Sequence, residues 1–132
     1  MISIILTTLL SLQISAPPKA KDMYKFEFQQ FGKNEGYVQF SVIPQPGFKW
    51  GELYDSTLTL KDNKNLTLPK RSFSRLNKDF VQKGKNGVVK IPFSLKSKKK
   101  QVVEGVTNFL ICCERFCKPF RNIKIKFNID VK

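Results

Sequence analysis

The feature that most constrains the fold is the alternation of apolar and polar residues at the end of the chain. Odd-numbered residues from Ile123 to Val131 are apolar, and even-numbered residues from Lys124 to Lys132 are polar or charged. Because successive side chains of a β-strand point to opposite faces, this pattern predicts a half-buried antiparallel strand. The same period of two recurs at residues 24–28, 37–43, 58–60 and 66–68.

Segments rich in turn-forming residues separate these predicted strands. They occupy residues 32–36, 44–47, 61–65, 84–87 and 96–100, and Pro119 marks another. No segment shows the apolar periodicity of an amphipathic helix. Short strands separated by turns therefore predict an all-β fold of the sandwich or barrel type. The least regular stretch, residues 70–83, is predicted to be a loop with a short helical turn.

The composition indicates one folded, very basic domain. With 132 residues, 41% hydrophobic content and 12 phenylalanines, the chain has enough apolar material for a single core. The formal charge is +14, and the densest basic run is Lys96–Lys100. This charge favours an anionic partner, such as an acidic protein surface, although a solubilising role explains it equally well.

The N-terminal segment is typical of a secretory signal peptide. An uncharged apolar run from Ile2 to Ile14 is followed by small residues and prolines, and it is short for a membrane span. We therefore expect a signal peptide at residues 1–20 and a single domain at residues 21–132, in a periplasmic or secreted protein; a buried strand or an uncleaved anchor is the alternative. Export would favour disulfide formation and argues against a nucleic-acid partner.

The residues available for chemistry are few. The chain has no histidine, the commonest general base, so hydrolase dyads and most zinc sites that depend on it are not expected. It also lacks a phosphate-binding glycine loop, and we expect no cofactor and no metal. What remains is sulfur, since all 3 cysteines lie within the segment FLICCERFCKPF.

Three disulfide pairings are possible in this segment. A bond between Cys112 and Cys113 is disfavoured, because it closes a strained ring and neighbours in a strand point to opposite faces. A bond between Cys112 and Cys117 suits the tip of a hairpin. The spacing also leaves a bond between Cys113 and Cys117 open.

The spacing allows more than one role for such a bond. Closing so short a loop stabilises the fold by only about 2 kcal/mol, which makes it an inefficient staple. Arg115 and Lys118 place positive charge nearby and favour a thiolate, whereas Glu114 opposes it. A redox-active disulfide and a passive structural disulfide are equally open. A thiolate site for a soft metal ion is a third alternative, which the lack of His and of a nearby Met disfavours.

The segment Phe109–Pro119, followed by the alternating last strand, resembles the N-terminal periplasmic domain of the thiol:disulfide interchange protein DsbD and related stand-alone secreted domains. In that family a strand ends in a cysteine, four residues intervene in many members, and a proline stands two residues after the second cysteine. Cys112, Cys117 and Pro119 match this spacing.

The resemblance extends upstream. The segment Ile43–Trp50 looks like the family's turn of proline, glycine and an aromatic residue, so Phe48 and Trp50 would shape access to the disulfide. Asp79 and Phe80 hold the place in chain order of the family's cap loop, which makes Phe80 the candidate shield. Residues 87–95 resemble the next strand.

The resemblance implies an immunoglobulin-like antiparallel β-sandwich that exchanges disulfides. Its partners would be a membrane-embedded electron donor and a thioredoxin-like thiol-disulfide oxidoreductase, with Cys117 as the exchanging thiol and Cys112 as its resolving partner. Cys113 has no place in the family pattern and would be a buried core residue or a third redox thiol. The alternative function is a non-catalytic secreted sandwich with a structural disulfide and a basic face for an acidic partner or surface.

Overall fold

The structure is a computed structural model, which describes residues 23–130. The proposed signal peptide and the last apolar residue of the alternating pattern, Val131, lie outside these residues. The strands are β1 (Tyr24–Phe31), β2 (Glu35–Pro44), β3 (Lys49–Trp50), β4 (Thr57–Leu60), β5 (Leu66–Thr67), β6 (Ser72–Ser74), β7 (Val81–Lys83), β8 (Asn86–Leu95), β9 (Gln101–Cys112) and β10 (Cys117–Ile129).

The strands form two five-stranded antiparallel sheets that pack against each other. One sheet has the order β1-β2-β8-β5, with β7 also paired to β8. The other has the order β10-β9-β4-β6, with β3 also paired to β9. The predicted all-β sandwich is confirmed. Residues 23–130 contain no helix long and apolar enough to cross a membrane.

The core lies between the sheets and is built from the inward-facing side chains that the period of two selects. In β9, for example, Val103, Phe109 and Ile111 are buried while Val102 and Glu104 are exposed. The largest side chains with almost no exposure are Trp50, Phe40, Phe109, Met23, Leu58, Leu60, Leu66, Ile91, Ile111, Ile129, Val38 and Val42.

A β-bulge in β10 allows the apolar residues on both sides of it to face the core, although their alternation along the sequence is out of step. Phe120 faces the core, and so do Ile125 and Phe127, but Phe120 has an even residue number and the other two have odd numbers, so strict alternation would place them on opposite faces. The register shifts between Phe120 and Ile123, where Asn122 adopts a φ of 55°. The Asn122 N–H donates to the side-chain oxygen of Asn108 at 2.8 Å. The extra residue thus returns the apolar side chains to the core.

One open side of the sandwich is closed by β1 and β10. The Phe28 and Phe127 rings stack with centroids 4.9 Å apart. The Gln30 side chain accepts from the N–H of Asp130 at 2.8 Å and donates to its carbonyl oxygen at 2.9 Å. A glutamine therefore replaces strand pairing at this edge and satisfies backbone groups that would otherwise be open to another chain.

The stretch of residues 70–83 differs from its prediction. It contains β6 and β7, and residues 75–78 between them form a single hydrogen-bonded turn and no helix. Between these strands, the Asp79 carboxylate accepts from the Ser74 N–H at 3.0 Å, and the Asp79 N–H donates to the Ser74 carbonyl at 2.9 Å. This reciprocal pair closes the loop between the two strands. The short strands were missed because three residues are too few to show a period.

We predict that Gly87→Ala destabilises the protein. A Cβ atom at Gly87 would lie 2.4 to 2.5 Å from three atoms of the Trp50 ring, which is buried and stacked on Phe80. Such overpacking costs about 1–3 kcal/mol. Urea unfolding should show this loss, whereas Ser94→Ala on the same strand should change the midpoint little. An unchanged midpoint for Gly87→Ala would contradict the packing of Trp50.

We also predict that Tyr24 lowers the stability of the folded protein at alkaline pH. Burial raises the pKa of Tyr24 above its ordinary value of 10.0, because it disfavours the phenolate. The stability that the neutral ring contributes is complete below pH 10.0 and is lost as pH rises through the higher folded pKa. Urea midpoints of Tyr24→Phe and the parent chain should therefore diverge in favour of the variant above that pH. A constant difference at all pH values would contradict this.

Candidate functional site

The three cysteines lie at the tip of the β9–β10 hairpin. The Cys113 N–H donates to the Phe116 carbonyl at 2.8 Å, which leaves Glu114 and Arg115 as the turn. In antiparallel pairing the next pair along the ladder is not hydrogen-bonded, and its side chains approach more closely. That pair is Cys112 and Cys117, whose Cα atoms are 4.0 Å apart and whose sulfurs form a disulfide. Of the pairings that the spacing allowed, the structure contains this one.

The two bonded cysteines differ in exposure. Cys112 is 7% exposed, whereas Cys117 is an exposed residue. Cys112 is covered because it lies in the middle of three strands, with Cys117 of β10 on one side and Lys49 of β3 on the other. An attacking group therefore reaches Cys117 more easily than Cys112.

The disulfide lies on the outer face of its sheet. In β9 the core-facing residues are odd-numbered, so Cys112 belongs to the outer set together with its cross-strand partner Lys49. Trp50, the next residue, takes the opposite face and is buried. The strand β3 thus places a lysine beside the disulfide and a tryptophan in the core.

A surface groove of about 360 Å³ runs along the buried side of the disulfide. It is lined by Gly47, Phe48, Lys49, Lys85, Cys112, Cys113 and Glu114. The Phe48 ring meets Phe116 edge to face, with centroids 6.4 Å apart, and Phe116 is 47% exposed. Phe48 therefore lines the same groove as Cys112, and its aromatic neighbour is Phe116.

Trp50, Phe80 and Asp79 occupy other places. The Trp50 and Phe80 rings stack in the core, 6.2 Å apart, and neither lines the disulfide groove. Asp79 accepts hydrogen bonds from Ser74 and the ammonium group of Lys70 and so holds its loop. Trp50 reaches the site only through its backbone, next to Lys49.

The positive charge beside the disulfide comes from a different set of residues than expected. Lys49 and Lys85 line the groove, and Arg115 lies in the turn. Lys118 follows Cys117 in the strand, so it points to the other face, where its ammonium lies 5.6 Å from the centre of the Phe120 ring. Glu114 is the one acidic residue of the groove. The site is cationic, which favours a thiolate when the disulfide opens.

Pro119 lies inside β10 rather than in the turn, opposite Leu110. Strand β10 is at the edge of its sheet, where a residue without an N–H leaves no ladder bond unmade. Cys113 is half-buried, carries a free thiol and lines the groove with Cys112. No three His, Cys, Asp or Glu side chains in residues 23–130 are grouped to hold a metal ion.

Lys49, Lys85 and Phe116 were missed by sequence reasoning. Phe116 stands within the cysteine segment and was open to prediction. The lysines come from distant parts of the chain, and only the pairing of β3 with β9 brings Lys49 to Cys112. No protein-family model, curated protein or solved structure matches this chain.

We predict an ordered reactivity of the three thiols. In the oxidised protein one thiol per chain, Cys113, should react with an alkylating reagent. After reduction Cys117 should react before Cys112, since Cys112 is 7% exposed and Cys117 is exposed. Peptide mapping by mass spectrometry gives the order. Labelling of Cys117 in the oxidised protein would contradict the observed pairing.

Proposed function

We propose that the protein is a thiol-disulfide exchange domain that relays electrons through the Cys112–Cys117 pair to or from a partner oxidoreductase of the thioredoxin-like class. The observation that carries this proposal is the unequal exposure of the bonded sulfurs. Cys117 is exposed at a hairpin tip, and Cys112 is 7% exposed behind it. Exchange needs one sulfur open to a partner and a second held nearby to complete the reaction.

The reaction balances over two thiols and one disulfide. A partner thiolate attacks the Cys117 sulfur, the Cys112–Cys117 bond breaks, and Cys112 leaves as a thiolate. The partner's second thiol then attacks the partner sulfur of the mixed disulfide and releases Cys117. The domain gains two electrons and the partner becomes a disulfide. In reverse, the Cys117 thiolate attacks a partner disulfide and Cys112 resolves the mixed disulfide.

The residues around the disulfide support electron transfer in both directions. Lys49, the cross-strand neighbour of Cys112, offers positive charge to the thiolate that leaves. Phe116, which precedes Cys117 and is 47% exposed, meets the half-buried Phe48 ring and gives the hairpin tip an apolar surface against which a partner can pack. The localisation in the periplasm or outside the cell, where such exchange takes place, is part of this proposal.

The first test is the reduction potential of the Cys112–Cys117 pair in the purified oxidised protein. Equilibration with thiol buffers, followed by trapping and mass mapping, measures it. We expect a value near or above about −230 mV, which is typical of exchangeable disulfides. A value below about −300 mV would mark a structural bond and would favour the non-catalytic basic binding module instead.

The second test separates the roles of the sulfurs. The partner is a thioredoxin-like protein that keeps only its exchanging cysteine, activated as a mixed disulfide with an aromatic thiol. The reduced Cys112→Ser/Cys113→Ser variant should displace that thiol and accumulate a mixed disulfide through Cys117, because neither protein then holds a thiol that can resolve it. Cys117→Ser should form none at this position, and Cys113→Ser alone should turn over like the parent chain. A mixed disulfide that accumulates equally through Cys112 in Cys117→Ser would reverse the assignment. Urea unfolding of each variant controls for loss of the fold.

A further inference from the structure

A second concave surface shares no lining residue with the disulfide groove. It is a cleft of about 480 Å³, lined by Trp50, Glu52, Leu53, Arg75, Leu76, Lys78, Phe80, Val81 and Gln82. Lys49 lines the disulfide groove, and Trp50, the residue after it, lines this cleft. The stacked rings of Trp50 and Phe80, buried at 1% and 2% exposure, form its apolar base.

Exposed apolar side chains are concentrated at this cleft. Leu53 is 86% exposed, Leu76 67% and Val81 46%, and all three line it. Within residues 23–130 the other large exposed apolar residues, Phe31, Val102 and Phe116, lie outside it. Single exposed apolar residues are ordinary, but a group of them around a concave surface marks an interaction site.

Hydrogen bonds order the two turns that expose Leu53 and Leu76. The Leu76 N–H donates to the carboxylate of Asp55 at 3.0 Å, and the turn that contains Leu76 is closed by Lys78 N–H donating to the Arg75 carbonyl at 2.9 Å. The turn that contains Leu53 is closed between Tyr54 and Gly51. Exposed leucines on ordered turns lose little conformational entropy when a partner covers them.

One wall of the cleft is a strand edge. Within the described residues β7 pairs with β8 alone, through Val81 with Val88, Gln82 with Gly87 and Lys83 with Asn86. The two-residue turn after Lys83 makes the Lys83 pair hydrogen-bonded, so alternation turns the backbone N–H and C=O of Gln82 away from β8. An extended segment laid along this edge would find backbone partners as well as an apolar cleft.

The charge at the cleft selects the kind of segment. Arg75 and Lys78 lie on one lining loop, Glu52 is the acidic lining residue, and the whole chain carries +14. We propose that this cleft binds an extended acidic segment of a partner protein, whose large apolar side chains pack on Leu53, Leu76 and the Trp50–Phe80 base. This binding does not depend on disulfide exchange, because none of the cysteines lines the cleft.

The test uses a short blocked peptide in which Asp alternates with Leu, added to the oxidised protein. Trp50 is the only tryptophan of the chain, so its fluorescence and its single indole N–H signal in NMR report on this cleft. Both should change on binding. A peptide of alternating Asp and Ser should bind at least about tenfold more weakly, because it buries no leucine. A peptide of alternating Lys and Leu should also bind at least about tenfold more weakly, because its charge is repelled by Arg75 and Lys78.

Matched variants locate the binding. Leu53→Ser/Leu76→Ser should weaken it by about tenfold or more, whereas Val102→Ser, which removes an exposed apolar side chain elsewhere on the surface, should not. Arg75→Gln/Lys78→Asn should weaken it more than Lys98→Gln/Lys99→Gln, which changes the charge equally. Asn is chosen at residue 78 because Lys78 has a φ of 65°, which Asn tolerates.

Three results would overturn the proposal. The first is equal binding of the Asp–Ser peptide, which would indicate attraction of any polyanion to a basic surface. The second is concentration-dependent association of the unbound protein that Leu53→Ser/Leu76→Ser abolishes, which would make the cleft a contact between copies of this chain. The third is an unchanged Trp50 signal with all three peptides.

Discussion

The register between β9 and β10 is the constraint on which the site depends. A slip of one residue would turn the apolar side chains of β10 to solvent and would separate Cys112 from Cys117. Two features fix it. The Phe109 and Phe120 rings, opposite each other in the ladder, stack in the core 5.3 Å apart, and the bulge after Phe120 adjusts the remaining strand without moving the hairpin tip. The position of the disulfide thus follows from the packing of two phenylalanines.

Because core packing sets this register, the fold does not need the disulfide to hold the hairpin together. Closing so short a loop contributes only about 2 kcal/mol, and the burial of one phenylalanine such as Phe109 contributes about as much. Opening the bond removes a local constraint at an exposed tip and leaves the ladder behind it intact. A domain whose disulfide opens and closes in turnover requires this separation between the chemistry and the core.

The sequence predicts the local part of this arrangement well. Alternation identified most of β1 and β2 and the last part of β10, and the spacing of Cys112 and Cys117 suited a hairpin tip, because both signals are carried by neighbouring residues. The contributions that depend on pairing between distant segments were not open to prediction. Lys49 reaches the disulfide only because the two-residue strand β3 pairs with β9, and so short a strand has no period to recognise.

Phe80 shows the same limit of sequence-based prediction, because it was expected at the disulfide and lies elsewhere. Its position in chain order, by resemblance, suggested a shield over the disulfide, yet its ring stacks on Trp50, which faces away from the outer surface that carries Cys112. The reason lies in β3, whose adjacent residues point to opposite faces, so that Lys49 accompanies the disulfide and Trp50 turns inward to meet Phe80. Phe48, in the loop before β3, is left beside the sulfurs and packs edge to face with Phe116. The aromatic margin of the disulfide is therefore assembled from the loop before β3 and the hairpin turn itself, and the loop that carries Phe80 is free to shape a separate cleft.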